Sequence, residues 1–106
     1  MSYQVALAAL ADPTRQEIVQ RLRGQALPVG QVAATLSVSR PAVSKHLKVL
    51  SDAGIVRHVR VGTRNLYSID TRGLEELRSY LDGFWSDVLS SYADSARGAN
   101  EPKEKP

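Results

Sequence analysis

Val38-Ser-Arg-Pro-Ala-Val-Ser-Lys-His-Leu-Lys-Val-Leu-Ser-Asp-Ala-Gly54 is written as one helix with a turn before it and a stop after it. Ser39 stands where an N-cap belongs, because its hydroxyl can accept from the free amides of a first turn, and Pro41 suits that turn because its missing N–H would have no partner there. Gly54 supplies the C-terminal stop. At 100° per residue Val43, Leu47 and Leu50 fall on one narrow apolar stripe, while Pro41, Lys45, Lys48 and Asp52 centre on the opposite side with Ser44 beside them. One face is core and the other is mostly basic. Such a face is weak as a signal when taken alone, since a solvated lysine is the ordinary explanation of any lysine.

The flanking segments give that face its meaning. A helical stretch, Pro28 to Leu36, precedes it; a short turn at Ser37-Val38 follows, then the helix, then two strand-like runs carrying more arginines. That order is helix-turn-helix plus wing. Ala11-Asp-Pro-Thr-Arg15, Leu27-Pro-Val-Gly-Gln-Val-Ala33, the run from Ser39 to Leu50 and Ala53-Gly-Ile-Val56 together resemble the ArsR-type winged helix-turn-helix regulators, over a span from about Leu7 to Tyr92. The resemblance implies a mainly α domain with a small β-hairpin, in the order four helices, two strands and a fifth helix. It implies that residues 28–36 brace the reading helix, and that the first and last helices build a homodimer.

Composition narrows the function classes. A chain of 106 residues with ordinary apolar content can build one small domain, and residues 1–93 are expected to form it. No charged-then-apolar leader and no run of ~18 apolar residues is visible, so neither secretion nor membrane spanning is supported and a cytoplasmic protein is expected. With no cysteine, thiolate metal sites, disulfides and thiol redox sensing are excluded on chemical grounds. The net charge of +3 is unevenly spread: residues 40–64 hold Arg40, Lys45, Lys48, Arg57, Arg60 and Arg64 against Asp52 alone, a local +5 that leaves −2 on the rest. Phosphate binding needs that concentration, because each neutralised phosphate releases condensed counterion and the gain accumulates per contact.

In chain order, Tyr3–Leu10 reads as a short helix. Asp12 caps and Pro13 opens a second, which runs to about Arg23 with Ile18, Val19 and Leu22 buried and Gly24 at its end. For Arg15 a salt bridge or cap contact is preferred to a base contact. After Gly54, residues 55–61 and 64–69 are β-rich and separated by Gly62-Thr63, a hairpin signal in which Gly62 permits positive φ. A two-stranded hairpin is marginal alone, so this wing must pack on the helices through Val56, Tyr67 and Ile69. The last helix, Thr71 to about Ala93, carries Leu74, Leu77, Leu81, Phe84, Trp85, Val88, Leu89 and Tyr92 on a stripe wider than one small core requires. Gly83 within it hints at a close approach or slight kink. Residues 94–106 are polar, Pro-ended and without periodicity, and are expected to form a disordered tail.

From these observations the partner expected is double-stranded operator DNA. Ser39, Arg40, Pro41, Ser44, Lys45 and Lys48 are expected at the major groove, and Arg57, Arg60 and Arg64 at phosphate or minor groove. His46 stands in the same set, although at the edge of the apolar stripe a half-buried, hydrogen-bonded histidine is preferred to a base contact. For Arg57 a gatekeeper role on an edge strand is also credible. The dimer interface implied by the resemblance takes Leu7 and Leu10 with Leu74, Leu77, Leu81, Phe84, Trp85, Val88 and Tyr92. His46 and His58 have no companions at ligand spacing, and the cysteines or carboxylate clusters of the family's metal sensors are missing. No metal site, no cofactor and no effector are therefore assigned. Repression follows from the usual role in the resembled family. An enzyme would need a nucleophile beside a base, a carboxylate pair or a phosphate loop, and none is visible. The rival class is a winged helix serving as a protein-interaction module, its basic face merely solvated.

Overall fold

Every helix start but one among the described residues is held by a side chain that accepts from the first turn. The computed structural model describes residues 2–100, in the order α1 (Tyr3–Leu10), α2 (Pro13–Leu22), β1 (Leu27–Pro28), α3 (Val29–Ala34), α4 (Arg40–Asp52), β2 (Val56–Val61), β3 (Arg64–Ile69) and α5 (Arg72–Asn100). Ser2 Oγ accepts from the Val5 amide, Asp12 Oδ2 from the Arg15 amide at 3.0 Å and Ser39 Oγ from the Ala42 amide at 3.2 Å. Ahead of α5, Asp70 Oδ1 accepts from the Arg72 amide at 3.0 Å. Only α3 starts without such a cap, at Pro28. Each cap satisfies an amide that the helix leaves without a partner.

The core is the meeting of the apolar stripes. Val43, Leu47 and Leu50 of α4 are fully buried against Ile18 and Leu22 of α2, Val32 of α3, Ala6 and Ala9 of α1, and Ile55 and Val56 beyond α4. Leu10, Tyr67, Ile69, Leu74 and Leu77 pack around its rim. Burying each of the larger side chains stabilises the fold by about 1.5–3 kcal/mol, so the spacing of α4 is enough to seat that helix with its basic side outward.

At the end of α4 the chain reverses through a left-handed glycine. Gly54 has φ 72°, its amide donates to the Ser51 carbonyl at 3.0 Å, and the Ile55 amide donates to the Leu50 carbonyl at 2.9 Å. This is the Schellman arrangement, with Leu50 and Ile55 both in the core. The start of α5 is sewn onto the same place: the Asp70 amide donates to the Ile55 carbonyl at 2.8 Å, and the Gly73 amide to the Gly54 carbonyl at 2.9 Å. A Cβ on Gly73 would land on the Ala53 carbonyl oxygen and come within 3.1 Å of the Gly54 carbonyl. Only a residue without a side chain lets the two backbones meet there.

Three expectations from sequence need correction. The hairpin is part of a three-stranded antiparallel sheet, order β1-β3-β2, because Leu27 and Pro28 pair with Tyr67 and Leu66. α3 accordingly begins at Val29. A two-residue strand is too short to show alternation, and its proline is tolerated on the sheet edge, where no ladder amide is needed. α5 runs on to Asn100, so residues 94–100, placed in the tail, are helical, whereas 101–106 lie outside the described residues. No proline falls between Pro41 and Pro102, and Asp94 pairs with Arg97 one turn on. Lastly, the close approach expected at Gly83 belongs to Gly73; a Cβ on Gly83 would meet nothing within 4 Å.

β2 and β3 are joined by Gly62-Thr63, with Val61 opposite Arg64. Gly62 has φ 64° and Thr63 is not left-handed, the pattern of a type II′ turn, whose twist matches that of the strands. As expected, the wing packs down through Val56, Tyr67 and Ile69. α5 leaves the body: α1 covers its first turns, with the Tyr3 and Tyr80 rings stacked at 3.9 Å, but from Arg78 to Arg97 every residue is exposed. The long axis reaches 71 Å against 25 and 21 Å for the others. Among the described residues no helix is long and apolar enough to cross a membrane.

Candidate nucleic-acid interface

Because Val43, Leu47 and Leu50 turn one side of α4 inward, Ser39, Pro41, Ser44, Lys45 and Lys48 are left exposed on the other. Their surroundings differ. Ser39 spends one acceptor site on the Ala42 amide and keeps its O–H free to donate. Lys48 Nζ lies 3.2 Å from Asp52 Oδ2 one turn on, an exposed pair of small energetic weight that still shares the ammonium with a carboxylate. Lys45 projects with Ser44 from the middle of the face.

Arg40 behaves differently from its neighbours on α4. Its guanidinium lies over α3, with Nη1 3.6 Å and Cζ 3.7 Å from where a Gly30 Cβ would sit. There it lines a cleft of about 410 Å³ between α3 and the wing, whose other wall includes Thr63, Arg64 and Asn65. Arg57 and Arg60 are exposed on β2. Arg60 Nε donates to the Gly62 carbonyl at 3.2 Å, so this side chain also braces the turn. His58 sits opposite Tyr67 across the strands, their ring centroids 5.3 Å apart.

His46 is half-buried at the edge of the α4 stripe, and its Nδ1 lies 3.3 Å from Arg15 Nη1. Arginine can only donate, so Nδ1 accepts. The rest of Arg15 is spent on the end of α1, Nε donating to the Ala9 carbonyl at 2.6 Å and Nη2 reaching the Ala8 carbonyl at 3.5 Å. The backbone hydrogen bond from Arg15, helped by the nearby Arg15 charge, holds the Asp12 carboxyl below its usual range. Arg15 thus ties α1, α2 and α4 together, the cap-type role preferred for it from sequence.

The residues expected at a dimer interface divide. Leu10, Leu74 and Leu77 are half-buried against the body. Leu7, Leu81, Phe84, Trp85, Val88 and Tyr92 are exposed, Trp85 by 55% and Tyr92 by 74%. Tyr80 and Leu89, missing from that set, are exposed on α5 as well, and the Tyr80, Phe84 and Trp85 rings follow one another at 6.4 and 6.3 Å. Tyr80 could have been found from its place one turn before Phe84. A patch of this kind is rare on a monomer.

At the root of α5, Asp70 takes Arg72 in a bidentate grip, Oδ2 accepting from Nε at 2.9 Å and from Nη2 at 2.7 Å. That grip, with the Arg72 backbone amide, holds the Asp70 carboxyl below its ordinary value and pushes the arginine up. Among the described residues no group of three or more His, Cys, Asp or Glu is placed to hold a metal ion. What the surface offers is a row of donors and cations on a helix beside an arginine-bearing hairpin, an arrangement suited to a polyanion with a groove.

Comparison with known proteins agrees. A family profile described as a helix-turn-helix domain matches residues 10–59. An HTH-type transcriptional regulator of Mycobacterium tuberculosis is 52% identical over 88 residues, covering 83% of this chain and 82% of the relative. The transcriptional repressor SdpR of Bacillus subtilis is 32% identical over 76 residues, covering 72% and 84%. Among solved structures, an ArsR-like transcriptional regulator from Rhodococcus sp. RHA1 superposes with a TM-score of 0.78 at 28% identity, over 95% of this chain and 94% of that one.

Proposed function

The chain belongs to the ArsR/SmtB family of winged helix-turn-helix transcriptional regulators, DNA-binding proteins and not enzymes, and from that premise we propose that it is a homodimeric, metal-independent repressor of an inverted-repeat operator, working in the cytoplasm. The observation that carries this reading is the division of α4, with Val43, Leu47 and Leu50 fully buried while Ser44, Lys45 and Lys48 stand exposed beside the arginines of the wing. On this reading Ser44 and Lys45 face base edges, while Ser39 and Pro41 at the helix start and Lys48 and Arg57 at its flanks lie along the backbone. Arg60 holds the turn that carries Arg64 to the DNA, and His46 sets the helix through Arg15 without touching a base.

Dimerisation is supported by the exposed apolar face that α1 and α5 share. Two copies joined there present two reading helices, and successive major grooves on one side of a duplex lie about 34 Å apart, so the operator should be an inverted repeat with that spacing. Metal independence is supported by the absence of cysteine from the sequence and by His46, whose Nδ1 is taken up by Arg15. Repression is supported by the similarity to SdpR, a transcriptional repressor.

Recovery of bound fragments from sheared genomic DNA, followed by titration of the enriched duplex and a scrambled one, tests the reading. Enrichment of an inverted repeat, bound by a dimer and unaffected by zinc, cadmium or arsenite, is expected. Equal affinity for both duplexes at every salt concentration would refute specific recognition. Loss of operator affinity at stoichiometric metal would refute metal independence.

A further inference from the structure

We propose that Arg40 and Arg64 close on a single DNA backbone phosphate in the cleft between α3 and the wing, the first residue of the reading helix and the first residue of β3 acting as one clamp. The inference rests on the DNA-binding reading above and deepens it by naming a phosphate site within it. Arg40 was expected at the major groove because it begins the basic helix, but its guanidinium is folded over Gly30 toward the wing. Arg64 lines the same cleft from the other side.

The cleft is built rather than accidental. β1 pairs with β3 at Leu27–Tyr67 and Pro28–Leu66, which fixes the start of α3 beside the strand that Arg64 opens. The type II′ turn, braced by Arg60 on the Gly62 carbonyl, fixes the other wall. Two arginines therefore line one concavity, and no Asp or Glu is among the residues lining it. Thr63, Asn65 and Gln31 add a hydroxyl and two amides to its wall, groups able to donate to phosphate oxygens. Like charges gathered in a concave site raise its affinity for an anion, and the planar fork of arginine matches phosphate geometry. The charge on the rest of α4 is differently placed, since Lys45 is on the open face and Lys48 is shared with Asp52. With α4 in the major groove and the wing along the backbone beside it, the cleft between α3 and the wing would lie over the strand that borders the groove.

A shared phosphate makes a prediction that two independent contacts do not. Arg40→Ala, Arg64→Ala and the double variant are titrated against operator and scrambled duplexes across a salt series, with thermal melting to verify folding. Each single substitution is expected to weaken both duplexes about tenfold or more per half-site, and the double variant to be little worse than the weaker single. The salt slope should fall by about 1 per half-site in all three. Multiplying losses with a fall of about 2 in the double variant, or a change of base preference in Arg40→Ala, would overturn the clamp while leaving DNA binding intact. A wild-type protein that binds no duplex would overturn the DNA-binding reading itself. Gly30→Asp gives a second arm, because a side chain at that position has room and places a carboxylate against the Arg40 guanidinium. It should mimic Arg40→Ala, whereas Gly30→Asn, matched in size, should bind nearly as the parent does; equal loss in both would overturn the electrostatic account.

Discussion

The same substitution, glycine to alanine, should move stability in opposite directions at two places in α5. At Gly73 the new methyl falls on the Ala53 carbonyl oxygen, and the carbonyl carbon and oxygen of Gly54 lie only 3.1 Å away. None of these atoms is a flexible side-chain end; they belong to the turn that closes α4, so the start of α5 has to lift. Forcing an atom into such a place costs about 1–3 kcal/mol, and lifting also breaks the 2.9 Å bond from the Gly73 amide to the Gly54 carbonyl, worth about 1 kcal/mol. A loss of about 2–4 kcal/mol follows, or a fall in Tm of about 8–16 °C at this chain length. At Gly83 a methyl meets nothing within 4 Å, and alanine is the better helix former by about 1 kcal/mol, so Tm should rise by about 4 °C. Calorimetry at one fixed protein concentration reads both, since association also shifts Tm. If the two variants shift Tm in the same direction, or Gly73→Ala melts within about 2 °C of the parent, the assignment of the close approach is wrong.

Trp85→Ala and Leu89→Glu remove or charge exposed members of the proposed partner face; we expect dimer dissociation to strengthen by about 2 kcal/mol or more, read by sedimentation, with little change in the near-ultraviolet signature of the body. Asp52→Asn releases Lys48 and removes the one acidic residue between positions 40 and 64, so affinity for scrambled DNA should rise and the salt slope steepen by up to about 1 per half-site; an unchanged slope would mean that Lys48 stays clear of phosphate. Asp70 is charged more readily folded than unfolded, chiefly through its bond with the Arg72 side chain. Its stabilisation is therefore complete above the ordinary carboxylate value near ~3.9 and is lost as pH falls through the lower folded value. The Tm gap between the parent and Asp70→Asn should be constant near neutrality and close in acid, and a gap that widens there would reverse the assignment.

How far the sequence could be read depended on the range over which each signal acts. The caps at Asp12 and Ser39, the stop at Gly54 and the stripe Val43-Leu47-Leu50 are local, set within one or two turns, and they placed α2, α4 and the wing correctly. β1 escaped notice because a strand of two residues is defined by its partner at Leu66 and Tyr67, not by its own pattern. Gly83 and Gly73 could not be told apart, since what separates them is the distant backbone of Ala53 and Gly54. For the same reason the row of cations was legible while the direction of one of them was not. Arg40 looks like any first-turn residue until α3 and the wing are brought to either side of it. The link from His46 to Arg15 spans 31 positions, and sequence supplied only the preference for a buried, bonded histidine.

The projecting arm of α5 makes protein concentration an input. From Arg78 to Arg97 no residue of that helix is buried by its own body, and in water most of a helix's stability comes from packing. If a second copy covers its apolar face, ordering the arm and pairing the subunits become one equilibrium. Below the dissociation constant the arm loses its support and the two reading helices lose their fixed separation; above it both return together. Occupancy of a two-fold operator then climbs with the square of subunit concentration at the low end, a steeper response than any one-subunit contact provides. Such a repressor measures its own abundance before it measures anything else in the cell.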